Sequence, residues 1–170
     1  KQAVAITWMA STSSDTGLIY YRQKGMKEFS MTAVSGVSYS QALSEARNYT
    51  AILENLKPST DYEYYVVSDG KDRIKSPVYT FRTQPKAPGK YQIFVYGDTK
   101  SEYNITNELN GDILKRVKEG LAKKSQPTPA FLVQLGDFGA YGAFNEFEAY
   151  FNYTYKGNAN TREILASFPF

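Results

Sequence analysis

Two acids in this chain share the same preceding pattern. Tyr91-Gln92-Ile93-Phe94-Val95-Tyr96 is an apolar-rich run that ends in Gly97-Asp98, and Ala130-Phe131-Leu132-Val133-Gln134-Leu135 is a second run that ends in Gly136-Asp137. A lone Gly-Asp pair most often caps a loop. Two such pairs at the ends of successive strands point instead to a ligand, because carboxylates gathered on one edge repel each other and lose hydration unless protons or cations compensate. Divalent metal ions are the usual compensation. The glycine ahead of each acid lets the backbone turn sharply and approach a ligand closely. Against this, the 170 residues include no His and no Cys. The chain therefore cannot hold a complete histidine-containing site, a thiolate metal site or a disulfide framework.

The elements that must position the two acids can be read from the pattern between them. Ile105, Leu109, Ile113, Val117 and Leu121 recur at four-residue steps with charges opposite, which predicts an amphipathic helix on that apolar face, with Asn104 as its cap. Strand, helix and strand make a βαβ unit. Its right-handed crossover brings both Gly-Asp pairs to one carboxyl edge, where open α/β sheets bind ligands. Farther on, Phe144, Phe147 and Phe151 mark another helix, with Gly157 as its C-terminal cap.

Before this unit the period is two. Residues 3–9, 18–22, 28–34, 49–53, 62–67 and 78–83 form short strand-like runs separated by Gly, Ser, Asp and Asn, which predicts an antiparallel sandwich. Ser68-Asp69-Gly70-Lys71 is expected to turn a hairpin. The proline- and glycine-rich stretch Pro85-Lys86-Ala87-Pro88-Gly89-Lys90 reads as a linker. The expected division is therefore 1–84, linker 85–90, and 91–170.

Composition narrows the function classes. Apolar residues at 42% and charged residues at 22% describe a folded globular chain, and a net charge of +3 without a basic stripe gives no indication of nucleic-acid binding. No apolar run approaches the roughly 20 residues of a spanning helix, and the start lacks the layout of a signal peptide, so a mature or trimmed chain with no membrane partner is expected.

Leu56-Lys57-Pro58-Ser59-Thr60-Asp61-Tyr62 resembles the L-x-P-x-T-x-Y corner of fibronectin type III domains. There the proline fixes φ at the crossing between sheets, and the tyrosine hydroxyl returns to a nearby backbone group. Trp8 stands where such domains bury an early-strand tryptophan. Gly97-Asp98-Thr99-Lys100 followed by Gly136-Asp137-Phe138-Gly139-Ala140-Tyr141-Gly142 resembles the first two motifs of calcineurin-like metallophosphoesterases. A fibronectin-like domain placed before those motifs is similar to the arrangement of purple acid phosphatases.

The resemblance implies an all-β fibronectin type III-like sandwich followed by the first part of an α/β metallophosphoesterase domain. It also implies two metal ions, of Fe, Mn, Zn or Mg, with Asp98 a terminal ligand and Asp137 the bridge. Tyr141 lies one residue beyond the position of the family's metal-binding tyrosine, which Ala140 occupies, and is a candidate ligand. Many relatives have Asp-x-His at the first motif. Lys100 stands there instead, and its ammonium cannot ligate a metal but can contact a phosphate. The family's Gly-Asn-His motif follows an apolar strand, whose start Ser167-Phe168-Pro169-Phe170 resembles.

Implied activity is metal-dependent hydrolysis of a phosphate ester by the complete protein, with a monoester slightly favoured. The remainder of the phosphoesterase domain is its expected partner and the fragment alone is expected to be inactive. A periplasmic or secreted location follows from the same likeness. Sequons at Asn48, Asn104 and Asn152 permit glycosylation without deciding the location. The alternative is an adhesion or carbohydrate-binding module with a non-catalytic α/β scaffold.

Overall fold

The computed structural model describes residues 2–11, 15–38, 46–68, 73–87, 91–100, 102–123, 130–137, 139–141 and 143–168. The chain divides into two compact units, Lys1–Gln84 and Pro85–Phe170.

The first unit contains β1 (Gln2–Ser11), β2 (Thr16–Gln23), β3 (Ser30–Ser35), β4 (Val37–Ser38), β5 (Ala46–Leu56), β6 (Asp61–Ser68) and β7 (Tyr79–Arg82). They form two antiparallel sheets, ordered β1-β5-β4 and β3-β2-β6-β7. Alternation decides which side chains turn inward: Tyr62 and Tyr64 are buried, while Asp61 and Glu63, which alternate with them, are not. Ile19, Ala51, Leu53, Leu56, Tyr62, Tyr64 and Phe81 make one core, lined by Val4, Ile6 and Trp8. Each large aliphatic or aromatic side chain so buried contributes about 1.5–3 kcal/mol.

At the corner, the Lys57 N–H donates to the Tyr62 hydroxyl at 3.0 Å, and the Tyr62 ring stacks on Phe81 with centroids 5.5 Å apart. Thr83 closes the same corner by accepting from the Thr60 N–H at 2.9 Å. Trp8 is half-buried and stacks on Tyr49 at 5.3 Å. The hairpin tip expected at Asp69, Gly70 and Lys71 lies outside the described residues, and Ser68 N–H donates to the Ile74 carbonyl at 3.0 Å.

The second unit contains β8 (Gln92–Tyr96), α1 (Tyr103–Lys123), β9 (Ala130–Gln134), α2 (Phe144–Asn152) and α3 (Asn160–Ser167). β8 and β9 pair in parallel, from Gln92 opposite Ala130 to Tyr96 opposite Gln134. One face of this pair packs Phe94, Tyr96 and Leu132 with Ile113, Leu114 and Val117 of α1 and Ile164 of α3. The other face leaves Ile93, Val95, Val133 and Leu135 exposed, with Leu135 72% accessible.

Helix α1 exists as expected, but its buried face differs. Ile113 and Val117 are buried, whereas Ile105 and Leu109 are exposed, and Thr106, Asn107, Asn110 and Leu114 take the inner positions. The reason is geometric. A four-residue step turns the helix about 40° past a full circle, so a strict series of fours drifts off any one face. The side chain of Leu121 lies outside the described residues. Asn104 is not a cap either, because it sits inside the first turn.

Helix α3 was not expected, and the reading of Ser167 as a strand start is corrected: Ser167 is the last residue of α3, Phe168 after it is extended, and Pro169 and Phe170 lie outside the described residues. The N-cap, Ala159, has no capping side chain. Asn107 of α1 replaces it, accepting the Thr161 N–H at 3.2 Å and donating to the Asn158 carbonyl at 3.0 Å. Asn110 donates to Thr161 Oγ1 at 3.1 Å, and Asn160 to the Asn107 carbonyl at 3.0 Å. Polar residues hold this helix face because they satisfy the polar groups at the start of another helix, the Thr161 N–H among them. Gly157 does not cap α2, which ends at Asn152. Lys156 and Gly157 have φ of 49° and 77° between Tyr155 and Asn158, whose backbones exchange hydrogen bonds of 3.0 and 2.9 Å. That is a tight turn of the I′ kind.

Candidate metal centre

Parallel pairing carries past the ends of β8 and β9. Leu135 N–H donates to the Tyr96 carbonyl at 2.9 Å, Asp98 N–H to the Gly136 carbonyl at 3.2 Å, and Lys100 N–H to the Asp137 carbonyl at 2.7 Å. The two loops are thus laced together through the acids themselves. Gly97 is needed because a Cβ there would meet Leu135 Cβ at 2.9 Å, and Gly136 because its φ is +96°. Gln134 adds a side-chain tie, donating to Thr99 Oγ1 at 3.2 Å.

Asp98, Lys100 and Asp137 all adopt left-handed backbone, with φ of 50°, 38° and 58°. Such conformations cost a non-glycine residue roughly 1–3 kcal/mol each and persist only where the surroundings impose them. Here the laced backbone imposes them, and the three side chains converge. Lys100 Nζ lies 3.3 Å from Asp98 Oδ1 and 3.8 Å from Asp137 Oδ2. Its ammonium is held above the usual lysine range by the hydrogen bond to Asp98, then by the charges of Asp98 and Asp137. All three side chains remain open to solvent, Lys100 at 58%. The sequence reading placed Asp98, Lys100 and Asp137 at one edge, and they meet there.

Tyr141 does not join them. Its ring is 92% exposed, too open to pack against a neighbour. Its backbone is fixed by a residue the sequence reading passed over. Glu146, in the first turn of α2, accepts the N–H groups of Ala140 at 2.9 Å, Tyr141 at 3.0 Å and Ala143 at 3.1 Å. A Glu three residues after a helix N-cap is the local signal that could have found it. Behind the site, the Tyr96 and Tyr150 hydroxyls lie 3.4 Å apart, and burial pushes the Tyr150 phenol up, with the Tyr96 hydrogen bond adding to it.

Among the described residues no group of three or more His, Cys, Asp or Glu could hold a metal ion. The two carboxylates nevertheless fit one edge of a cation site, because a positive group already lies between them. The donors are hard carboxylate oxygens, the kind that suits hard cations such as Mg, Ca or Mn.

Residues 1–83 match the family model described as Purple acid Phosphatase, N-terminal domain. The match spans nearly all of the first unit, which is similar to that domain. Over 98% of its length the chain is also similar to the structure of purple acid phosphatase PPD1 from yellow lupin (Lupinus luteus) seeds, with 13% identity and a TM-score of 0.62. At that identity the likeness concerns the fold, and the chain spans 32% of the lupin protein. A match to Astrotactin-2, described as a conserved vertebrate-specific and perforin-like membrane protein, has a TM-score of 0.39 and 12% identity over 88% of this chain and 25% of that one. No curated protein sequence matches the chain. No helix among the described residues is long and apolar enough to cross a membrane.

Proposed function

We propose that the complete protein hydrolyses phosphate esters, a monoester in preference to a diester, at a two-metal centre to which this chain contributes one edge. The carrying observation is that Asp98 and Asp137 meet one lysine ammonium beyond the ends of paired parallel strands, in a chain whose residues 1–83 match the purple acid phosphatase N-terminal domain model. In this reading the first unit is a fibronectin type III-like spacer or substrate-side wall, and the second is the opening part of a metallophosphoesterase domain.

Asp98 would hold one ion and Asp137 would bridge two, with the other ligands supplied from elsewhere in the complete protein. Bound metal would supply an activated water and neutralise charge on the phosphoryl oxygens. Lys100, on its flexible four-carbon stem, is within reach of a phosphoryl oxygen presented at the same edge. Tyr141, exposed one residue beyond the position that Ala140 occupies, would be a further candidate ligand. Support for a missing remainder of the domain comes from the exposed face of Ile93, Val95, Val133 and Leu135, since parallel sheets are covered on both sides. A periplasmic or secreted location follows from the family likeness.

One observation favours the alternative of a non-catalytic adhesion or carbohydrate-binding module: the Lys100 ammonium already neutralises part of the acidic edge. Substitution of each acid in the complete protein separates the two readings. Asp137→Asn should abolish nearly all hydrolysis and loosen both metals, because a neutral amide bridges two cations poorly, whereas Asp98→Asn should weaken mainly one metal. Equal and mild losses from both would rule out these roles.

A further inference from the structure

Lys100 is held at the acidic edge by more than its own charge. Its backbone N–H is tied to the Asp137 carbonyl at 2.7 Å, and its φ of 38° turns the side chain out of the loop beside both acids. The ammonium then stands 3.3 Å from one carboxylate and 3.8 Å from the other, the only cation within 4 Å of either among the described residues. It contacts an oxygen of each acid at once, so a metal ion bound by both acids would compete with it for those oxygens. A divalent ion sits about 2.0–2.6 Å from each carboxylate oxygen, too close to share those oxygens with an ammonium so placed. Because the stem is exposed and unbranched, Lys100 can swing away without disturbing the backbone.

We propose that Lys100 is a tethered counter-cation, which holds the metal-free carboxylate pair together and must be displaced when a metal ion binds. This inference rests on the metal-binding reading above and adds a function to it: Lys100 sets the metal affinity of the edge and keeps the site assembled while empty. Fixed positive charge beside an incoming dication weakens its binding. Neutral charge at the same position frees the carboxylates for metal and leaves their mutual repulsion unopposed in its absence.

The experiment is a calorimetric Mn titration of the complete protein, stripped of metal, as wild type, Lys100→Met and Lys100→Arg. Expected are Mn binding at least roughly tenfold tighter for Lys100→Met, near wild-type affinity for Lys100→Arg, and a lower unfolding temperature for metal-free Lys100→Met alone. Unchanged or weaker Mn binding by Lys100→Met, while wild type still binds Mn, overturns the inference and leaves the metal reading standing. No Mn binding by any of the proteins overturns both. Should Lys100→Met fail to fold, the wild type serves: the NMR signal of the Lys100 ε-carbon, in protein with labelled lysines, should shift on adding diamagnetic Zn or Mg. A signal unmoved at metal saturation contradicts displacement.

Discussion

Replacing Tyr62 by Phe tests the corner of the sandwich with almost no change in shape. The ring is 4% exposed and its stacking on Phe81 survives the substitution, so the loss is confined to the hydroxyl that accepts the Lys57 N–H at 3.0 Å. An unpaired backbone N–H in a buried setting costs about 1–3 kcal/mol. Lys57 itself lies on an exposed loop where water reaches part of the freed group, which places the expected loss at about 1–2 kcal/mol. With a urea dependence of about 1 kcal/mol per molar for a unit of this size, the midpoint should fall by about 1–2 M. Trp8 is the only tryptophan and stacks on Tyr49 inside this unit, so its fluorescence follows the first unit alone. A midpoint within about 0.3 M of wild type at unchanged slope would refute the role of the hydroxyl.

Asn107→Ala should cost the second unit about 2–4 kcal/mol, because it strips the buried Thr161 N–H and the Asn158 carbonyl of their partner; unchanged thermal unfolding of the helical circular dichroism signal would count against it. Residues 1–170 alone should show no hydrolysis of a chromogenic phosphate ester with added Mn, Zn or Fe, and turnover abolished by Asp137→Asn would mean that the site is complete without further ligands. The same chain should bind a dye for exposed apolar surface through Ile93, Val95 and Leu135, and Leu135→Lys should lower that signal, an unchanged signal placing the exposed surface elsewhere.

The antiparallel strands of the first unit could be read from sequence because their information is local: period-two runs, turn residues between them, and a proline-threonine-tyrosine corner whose hydrogen bond spans five residues. The acidic edge was legible for a related reason. Once two strands are parallel and joined by a helix, their carboxyl ends must coincide, and Asp98 and Asp137 follow. What escaped the reading depends on distant partners. Helix α3 offers only Ile164 and Leu165 as local apolar signals, and its N-terminus is satisfied by Asn107, 54 residues away from Thr161. Ile105 and Leu109 looked like the core face of α1 for the same reason. Glu146 had a local signal in its place three residues after the α2 N-cap, but its backbone partners Ala140 and Tyr141 lie in the loop before the helix, where no pattern marks them. Tyr141 was placed near the metals by its position in a motif, but the loop that Glu146 fixes leaves its ring in solvent.

Anomalous diffraction from crystals of the complete protein soaked in Mn tests the central claim most directly. A two-metal centre with Asp98 and Asp137 at its edge predicts two peaks about 3.5–4 Å apart, both within coordinating distance of the Asp137 carboxylate and one within it of Asp98. Lys100 Nζ should then have left its position between the acids. Peaks elsewhere, or none at all while Lys100 remains paired with both carboxylates, would contradict the assignment of this edge as a metal centre.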